Sequence, residues 1–319
     1  MKPPLLLASR LPATLQELLA ERYELLGPVL GNFDEAVRTL PPADAARITA
    51  LVTVGSVRIT PAGTAALPQL KLISCMGSGY EGIDVAGAAA NGITVTHSPN
   101  SNAASVADLA MGLLIDSVRN LPAGRDRLRS GTWGGLTAEP NVPLRGLTGR
   151  KLGVYGMGAI GLKIAQRARA FEMQVGYHNR KPRNDVPYAY HPSLLELARW
   201  ADVLVVALRA APENRHAVNQ EVLAALGKEG FVVNISRGSV IDEAALIQAL
   251  QSGLIAGAGL DVYEHEPKVP KVLLDLPHVA LSPHVGGATL EAQRAIEEMV
   301  LANLETFFAG RTPPNPVVP

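Results

Sequence analysis

The sequence predicts an α/β protein made of two doubly wound domains, each a parallel sheet covered by helices. Three observations lead to this expectation. Short apolar runs alternate with helix-like segments along the 319 residues, as in successive βα units. The hydrophobic content of 47% comes mainly from Ala, Leu and Val, which suits sheets buried between helices. The length allows two domains of ordinary size, each with its own core.

The first part of the chain contains four predicted strands. Apolar runs typical of strands lie at residues 5–8, 50–54, 70–75 and 93–96. Residues 15–26 have the pattern of a helix, so we expect a small flavodoxin-like parallel sheet in this region. A glycine-rich loop at residues 77–82 follows the third strand. Its backbone N–H groups could cradle a carboxylate, or the loop could be a flexible turn.

The middle of the chain begins with turn residues at 97–102, which indicate a first crossing between the domains. A strongly helical stretch follows at residues 105–118. Residues 125–135 then place Trp133 among glycines in a loop. This helix and loop fit either a dimer arm or ordinary packing within one domain.

Residues 151–161, KLGVYGMGAIG, organise the second domain. Gly156 permits a tight turn out of the strand, Gly158 lets a pyrophosphate lie against backbone, and Gly161 lets the next helix pack closely. A second strand at residues 174–177 completes a βαβ unit. We therefore predict a Rossmann-type domain that binds a dinucleotide. The candidate residues in this loop are Gly156, Met157, Gly158, Ala159, Ile160 and Gly161.

The segment after that second strand favours NADP(H) over NAD(H). A free ribose 2′-hydroxyl usually meets an Asp or Glu about 20 residues beyond the glycines. Residues 178–183 instead read HNRKPR, with three cations and no carboxylate. A guanidinium can grip a phosphate through two parallel hydrogen bonds, although a solvated basic loop would read the same way. The candidate residues are Asn179, Arg180 and Lys181.

Four more strands and three helices complete the expected fold. The strands are predicted at residues 203–208, 231–235, 257–262 and 279–282. Helices are predicted at residues 219–226 and 243–252, and Asp242 is placed as the N-cap of the second. An amphipathic helix at residues 290–308 ends at Gly310, before a proline-rich tail.

Three polar residues follow three of these strands, at the sheet edge where doubly wound folds bind ligands. Arg237 can hold a carboxylate, and His284 can pass a proton to a carbonyl oxygen. Glu266 can orient the imidazole and favour its protonated form. Each residue alone has an ordinary structural explanation. Together at one edge, beside a nicotinamide cofactor, they indicate a hydride-transfer enzyme.

The chain resembles the D-isomer-specific 2-hydroxyacid dehydrogenases in RGSVID, GLDVYEHEP and SPHVGGAT, with GMGAIG and VAD upstream. The resemblance covers nearly the whole chain and keeps the order and spacing of the motifs. It implies that Arg237 binds the substrate carboxylate, that His284 is the acid/base and that Glu266 is its partner. It also implies that Asp261 binds the nicotinamide carboxamide.

The resemblance extends to the other ligand contacts. Ser78 and Gly79 match the loop whose backbone amides hold the substrate carboxylate. The NRK sequence is similar to the NADPH-dependent glyoxylate/hydroxypyruvate reductases. Residues 209–212, RAAP, replace a Thr-rich stretch of the family, and Asp108 stands where Glu is commoner. Further cofactor contacts are expected at Ile235, Ser236 and Gly286.

The family's organisation implies a substrate-binding domain of residues 1–99 and 286–319, and an NADP-binding domain of residues 100–285. It also implies a homodimer. The 29 basic and 29 acidic residues balance, which argues against nucleic acid or anionic membrane as a partner. The first ten residues hold too short an apolar run for a signal peptide, and the single cysteine, Cys75, argues for the cytoplasm and against a zinc cluster.

The sequence therefore predicts an oxidoreductase that reduces a small 2-keto acid, glyoxylate or hydroxypyruvate, to the D-2-hydroxy acid with NADPH. Two alternatives stay open. The substrate could be a larger 2-keto acid, such as 2-ketogluconate or an aryl pyruvate. The fold also serves non-catalytic, nucleotide-sensing corepressors, although the complete set of Arg237, Glu266 and His284 favours an enzyme.

Overall fold

The computed structural model describes residues 2–135 and 145–318. The chain divides into two compact units, one of Met1–Asn102 with Thr289–Pro319 and the other of Ala103–Ala288. Each unit has its own parallel sheet and buried core, as the fold prediction requires. The crossings at Asn102 and Thr289 lie near the residues 99 and 286 expected from the sequence. The ligand that each unit binds remains a prediction.

The first unit, in its described residues, is a five-stranded parallel sheet in the order β2-β1-β3-β4-β5. The strands are β1 (Pro4–Leu7), β2 (Glu24–Leu26), β3 (Ala50–Val54), β4 (Leu72–Met76) and β5 (Thr94–Thr96). The helices between them are α1 (Ala13–Arg22), α2 (Phe33–Ala36), α3 (Pro42–Ala45), α4 (Pro61–Thr64) and α5 (Val85–Ala90).

Residues 15–26 are not one helix, so that prediction is wrong. The helix α1 ends at Arg22, and Tyr23 has extended backbone with φ −123° and ψ 153°. Residues 24–26 then pair in parallel with β1 at the sheet edge. Leu25 packs on the same core as Leu19, so the apolar pattern continues across the boundary. A three-residue strand is too short to show its own period of two.

The second unit, as far as it is described, is a seven-stranded parallel sheet in the order β12-β11-β10-β9-β6-β7-β8. Its strands are β6 (Lys151–Tyr155), β7 (Gln174–His178), β8 (Ala189–Tyr190), β9 (Val203–Val206), β10 (Phe231–Asn234), β11 (Gly257–Leu260) and β12 (Val279–Leu281). Its helices are α6 (Ala103–Arg119), α7 (Leu121–Arg129), α8 (Ala159–Ala170), α9 (Leu194–Trp200), α10 (Gln220–Leu226), α11 (Glu243–Gln251) and α12 (Lys271–Asp275).

This sheet lies between two helical layers. Along β9, Val203 and Val205 belong to the core formed with α6 and α8, whereas Leu204 and Val206 belong to the core formed with α9, α10 and α11. The strand is therefore apolar on both faces, because successive side chains point to opposite layers. The strand order reverses between β6 and β9, which marks the ligand-binding switch point of a doubly wound sheet.

Several local predictions are confirmed. The side chain of Asp242 accepts a hydrogen bond from the Ala245 N–H and caps α11. The C-terminal helix α13 (Leu290–Phe308) has the bounds expected from the sequence, and it packs on the core of the first unit through Val300 and Leu304.

One local prediction is wrong, and one short strand was missed. The short strand β8 was not predicted, and residues 121–129 form the helix α7 where a loop from residue 125 was expected. The helix begins after Asn120, whose φ of +47° turns the chain sharply out of α6. No helix in the described part of the chain is long and apolar enough to span a bilayer.

Candidate active site

A cavity of about 890 Å³ opens beyond the carboxyl ends of β6, β7 and β9. This is the switch point of the second unit, where doubly wound sheets bind their ligands. The structure brings six of the predicted cofactor residues to it, from the glycine loop and from the segment after β7. They are Gly156, Met157, Gly158, Asn179, Arg180 and Lys181. Arg209, Ala210 and Ala211 line the side that departs from the family pattern.

The three glycines of the loop have different local environments, and that of Gly156 shows the tight turn that was predicted. Gly156 has a φ of +105°, and a Cβ there would lie 2.4 Å from the backbone nitrogen of Leu208. A Cβ on Gly161 would lie 2.2 Å from the carbonyl oxygen of Gly156, so α8 packs directly on the loop. Gly158 faces open space and is the N-cap of α8, with no side chain capping the first turn. The free N–H groups there fit a pyrophosphate.

The cations after β7 differ in their surroundings. The Arg180 side chain is 93% exposed, and its Nη1 lies 3.8 Å from Oε1 of Glu213, another residue that lines the cavity. Lys181 is exposed as well. Arg183 instead donates from Nη1 to the Met157 carbonyl at 2.7 Å and from Nε to Asp185 at 2.9 Å. Of the three cations counted in the sequence, two therefore line the cavity.

Asn179 also has a role that sequence reasoning missed. Its Oδ1 accepts a hydrogen bond from the Met157 N–H at 2.7 Å, so this side chain holds the glycine loop. The absence of a carboxylate at this position was visible in the sequence. The contact that replaces it was not, because it joins residues 22 apart that meet only across the two strands.

The structure joins the predicted acid/base pair. Nδ1 of His284 lies 2.7 Å from Oε2 of Glu266, and Oε1 of Glu266 accepts from the Tyr263 N–H at 3.0 Å. The two side chains are 45% and 35% exposed, so both remain open to a ligand. His284 has a φ of +54°, a left-handed backbone that its loop must maintain. Because Nδ1 is engaged, Nε2 is the ring nitrogen left to exchange a proton.

Asp261 holds the loop that carries His284. Asp261 is 2% exposed, and its carboxylate accepts from Ser282 Oγ at 2.6 Å and from the N–H groups of Val285 and Gly286 at 2.9 Å. The His284 N–H donates to the Asp261 carbonyl at 2.8 Å. Both ends of the turn are therefore tied to one buried residue. Sequence reasoning assigned Asp261 and Gly286 to the cofactor, and that assignment remains a prediction beside this structural role.

Arg237 lies three residues beyond the end of β10, which is paired with β11, the strand before Glu266. Its Nη1 donates to the Ser236 carbonyl at 2.8 Å. The following residue, Gly238, packs so tightly that a Cβ would lie 1.9 Å from the Tyr263 carbonyl carbon. The loops after β10 and β11 are therefore in direct contact. Ile235 and Ser236 are buried beneath this loop, where the Ser236 hydroxyl donates to the Leu208 carbonyl at 2.5 Å.

Glu264, two residues before Glu266 in the same loop, has partners other than His284. Its Oε1 lies 2.7 Å from both Nη2 of Arg215 and Nε2 of His216. Burial raises the pKa of Glu264, but the hydrogen bond from His216 and the charges of His216 and Arg215 outweigh it, so the pKa is lowered. Glu264 therefore serves an ion cluster, and Glu266 is the carboxylate at His284.

Ser78 and Gly79 lie in the first unit, in the loop after β4. The Gly79 carbonyl accepts from Sγ of Cys75 at 3.1 Å, and the Ser78 carbonyl lies 3.1 Å from Nδ1 of His97. A Cβ on Gly55 would lie 2.1 Å from the Gly79 carbonyl oxygen, so the loop rests on the end of β3. These contacts fix the loop, so it is not a flexible turn. Its predicted contact with the substrate carboxylate remains untested.

Comparison with known proteins identifies the family. The domain family described as D-isomer specific 2-hydroxyacid dehydrogenase, NAD binding domain, matches residues 111–286. The chain belongs to the D-isomer-specific 2-hydroxyacid dehydrogenases. It is 36% identical over 321 residues to a glyoxylate/hydroxypyruvate reductase of Arabidopsis thaliana, with 99% of this chain and 98% of the relative covered.

Other relatives extend the comparison. A 2-ketogluconate reductase of Gluconobacter oxydans is 36% identical over 318 residues, with 99% of both chains covered. Among solved structures, an NADPH-dependent glyoxylate/hydroxypyruvate reductase of Sinorhizobium meliloti, in complex with NADP and malonate, superposes with a TM-score of 0.89. The two chains are 39% identical, with 100% of this chain and 97% of the other covered. Both the family and the fold expected from the sequence are thereby confirmed.

Proposed function

We propose that this dehydrogenase reduces a small 2-keto acid, glyoxylate or hydroxypyruvate, to the D-2-hydroxy acid with NADPH. The observation that carries the proposal is the 2.7 Å contact between His284 and Glu266 at the sheet edge next to Arg237. A sensor protein has no need of an oriented imidazole there, whereas a reductase needs a proton donor. The related proteins named as glyoxylate/hydroxypyruvate reductases support the same substrate class.

The residues of the proposed set divide substrate binding and proton transfer between them. When bound, NADPH supplies the hydride for the substrate carbon. Glu266 accepts from Nδ1 of His284, which leaves Nε2 to donate a proton to the keto oxygen. Arg237 binds the substrate carboxylate and polarises the adjacent carbonyl. The amides of Ser78 and Gly79 hold the same carboxylate. Asp261 binds the nicotinamide carboxamide, together with contacts from Ile235, Ser236 and Gly286.

The cofactor proposal rests on the cavity beyond β6, β7 and β9. Its glycine loop and the uncapped start of α8 fit the pyrophosphate, and Arg180 and Lys181 on its wall fit a 2′-phosphate. Ala159, Ile160 and Gly161 provide the first turn of that helix. The related S. meliloti reductase is described as NADPH-dependent, which agrees with this choice.

A steady-state assay tests the activity. We expect the purified protein, mixed with NADPH and glyoxylate or hydroxypyruvate, to consume reduced cofactor and to form a hydroxy acid. The same assay with 2-ketogluconate and hydroxyphenylpyruvate, compared as kcat/KM, decides between small and larger substrates. The G. oxydans relative makes the larger substrate a specific second candidate. Dinucleotide binding without turnover of any 2-keto acid would instead support a sensor.

We also propose a homodimer located in the cytoplasm. The exposed apolar residues Leu121, Leu128 and Trp133, on and after α7, support the dimer. The lone cysteine, Cys75, is buried and free, which agrees with a reducing compartment.

A further inference from the structure

Arg183 lies after β7 with its guanidinium engaged on two sides. Nη1 donates to the Met157 carbonyl at 2.7 Å, and Nε and Nη2 both bond to the Asp185 carboxylate. The hydrogen bond from Arg183 lowers the pKa of Asp185, so the pair is ionised at neutral pH. The planar fork of the guanidinium thus links the glycine loop to the segment after β7. Arg183 is not among the described residues that line the cavity.

The backbone of Arg183 is itself anchored in the core. The hydroxyl of Tyr177 accepts from the Arg183 N–H at 2.7 Å and donates to its carbonyl at 3.2 Å. Tyr177 is 1% exposed and is among the largest fully buried side chains. The backbone that carries the guanidinium is therefore fixed to the sheet through Tyr177.

Asn179 binds the backbone N–H of Met157, the residue whose carbonyl Arg183 binds. Its Oδ1 accepts from the Met157 N–H at 2.7 Å, while Arg183 binds the Met157 carbonyl. These two bonds act on two consecutive peptide planes, 156–157 and 157–158. Because each peptide unit is planar, fixing two of them fixes the path of the loop between Gly156 and Gly158.

The hydrogen bonds from Asn179 and Arg183 to the Met157 backbone determine the direction of the Gly158 N–H. In a trans peptide the N–H is directed opposite to the carbonyl of the preceding residue. With the Met157 carbonyl held by Arg183, the Gly158 N–H is aimed away from Arg183, and Gly158 is one of the residues that line the cavity. Backbone N–H groups at this position bind phosphate only when correctly directed.

We infer that Arg183 and Asn179 are positioning residues for pyrophosphate binding: together they hold the Met157 backbone so that the loop presents its N–H groups to the diphosphate shared by NADP(H) and NAD(H). This inference rests on the proposed binding of a dinucleotide. It separates the basic segment into two functions. Arg180 and Lys181 serve the 2′-phosphate, whereas Arg183 serves the pyrophosphate indirectly.

Binding of three ligands to the purified protein tests this division. Calorimetry with NADP⁺, NAD⁺ and 2′-AMP distinguishes binding of the 2′-phosphate from binding of the pyrophosphate. NAD⁺ has only the pyrophosphate, and 2′-AMP has only the 2′-phosphate. We expect Arg183→Ala to weaken the binding of NADP⁺ and of NAD⁺ by the same factor, about tenfold or more. The affinity for 2′-AMP should stay unchanged. Arg180→Ala should weaken NADP⁺ and 2′-AMP and leave NAD⁺ unchanged.

Asn179 provides a second test that does not depend on the fold of the Arg183 variant. Asn179→Asp keeps the acceptor for the Met157 N–H and should retain NAD⁺ affinity. Asn179→Leu removes the acceptor and should weaken NAD⁺ about tenfold. Arg169→Ala, an exposed change at the end of α8, is the matched control and should leave all three affinities unchanged. A purely structural defect would lower all three affinities or the melting temperature alone.

The outcomes distinguish two failures. If the wild-type protein bound neither NADP⁺ nor NAD⁺, the proposed function would be wrong. If it bound both, and Arg183→Ala weakened NADP⁺ and 2′-AMP but not NAD⁺, Arg183 would be a ligand of the 2′-phosphate and the inference would be overturned. Unchanged NAD⁺ affinity in both Arg183→Ala and Asn179→Leu would overturn it as well.

Discussion

At the residue scale, the site depends on carboxylates that have different partners. Glu266 is bonded to His284, Glu264 to Arg215 and His216, and Asp261 to the turn around His284. Glu264 and Glu266 are two residues apart in one loop, yet only Glu266 contacts the imidazole of His284, whereas Glu264 contacts that of His216. Chemical type therefore did not decide the roles of these acids. The direction in which each backbone segment presents its side chain did.

The first prediction concerns this pair. His284→Ala should lower kcat for glyoxylate reduction by about 10²–10⁴-fold, because the proton donor is lost. Glu266→Gln should lower kcat less, since the imidazole stays but loses the carboxylate that orients it. The double variant should be no slower than His284→Ala, because Glu266 acts only through the histidine. Wild-type kcat in Glu266→Gln would remove Glu266 from the mechanism.

The second prediction concerns Arg237. Arg237→Lys keeps the positive charge but loses the fork that binds a carboxylate with two hydrogen bonds. We expect kcat/KM for glyoxylate to fall strongly, by about tenfold or more, while the Kd of NADPH stays the same. Steady-state kinetics and calorimetry on the same preparation measure the two quantities. A Lys variant with near-native kcat/KM would contradict the assignment.

The third prediction concerns the only cysteine. Burial raises the pKa of Cys75 to about 12, and its Sγ donates to the Gly79 carbonyl. Since the thiolate is the reactive form, the native protein should not react with a thiol reagent at pH 8. One thiol per chain should react once the protein is unfolded in urea. Rapid labelling of the native protein would show that the loop after β4 opens.

At the level of secondary structure, the loops after the strands carry the candidate site residues, and the strands align these loops. The loops after β6, β7 and β9 form the cavity, and those after β10, β11 and β12 carry Arg237, Glu266 and His284. Parallel strands make this arrangement possible, because their carboxyl ends share one edge. The segment that contains Arg183 is also held by the sheet, because it lies between the paired strands β7 and β8 and its Arg183 N–H donates to the Tyr177 hydroxyl.

The fourth prediction belongs to the loop after β7. Arg180→Ala should raise KM for NADPH much more than KM for NADH, because only NADPH loses a charge-assisted contact of roughly 1.5–3 kcal/mol. The Arg180 side chain is almost fully exposed, so its removal should not disturb the fold. Initial rates with each cofactor give both constants. Equal losses for the two cofactors, or a wild-type preference for NADH, would refute NADPH selectivity through Arg180.

At the scale of the whole molecule, the chain leaves its first unit at Asn102 and returns at Thr289. The helix α13 therefore completes the core of a unit whose other elements lie before residue 103. Leu121 and Leu128 are seven residues apart on one face of α7, where they are 52% and 61% exposed, and Trp133 is 55% exposed. These exposed apolar residues are the basis of the proposed dimer interface.

The fifth prediction tests that surface. The wild-type protein should have the mass of a dimer by light scattering after size-exclusion chromatography. Leu128→Glu should shift it to the monomer, because a charge would be buried in the interface. Leu274 on α12 is 57% exposed, and Leu274→Glu is the matched control that should leave the mass unchanged. A monomeric wild-type protein would contradict the proposal.

Features that depend on neighbours along the chain could be predicted from the sequence. The glycine loop, the Asp242 cap, most strand positions and the full extent of α13 follow from local periodicity and backbone preference. The order of motifs also placed Arg237, Glu266 and His284 after three strands and identified the family. Short edge strands escaped this reasoning, because Glu24–Leu26 is too brief to show a strand pattern.

Contacts between polar groups that are far apart in the sequence could not be predicted, because folding brings these groups together. Asn179 and Met157 are 22 residues apart, Arg183 and Met157 are 26 apart, and Asp261 and Gly286 are 25 apart. Each contact joins loops whose distance is set by strand order and by the turn of the backbone between them. Neither the strand order nor the turn of the backbone can be read from the pattern of neighbouring residues in the sequence. The basic segment after β7 therefore read as one phosphate site in the sequence, whereas folding directs Arg180 to the cavity and Arg183 to the glycine loop.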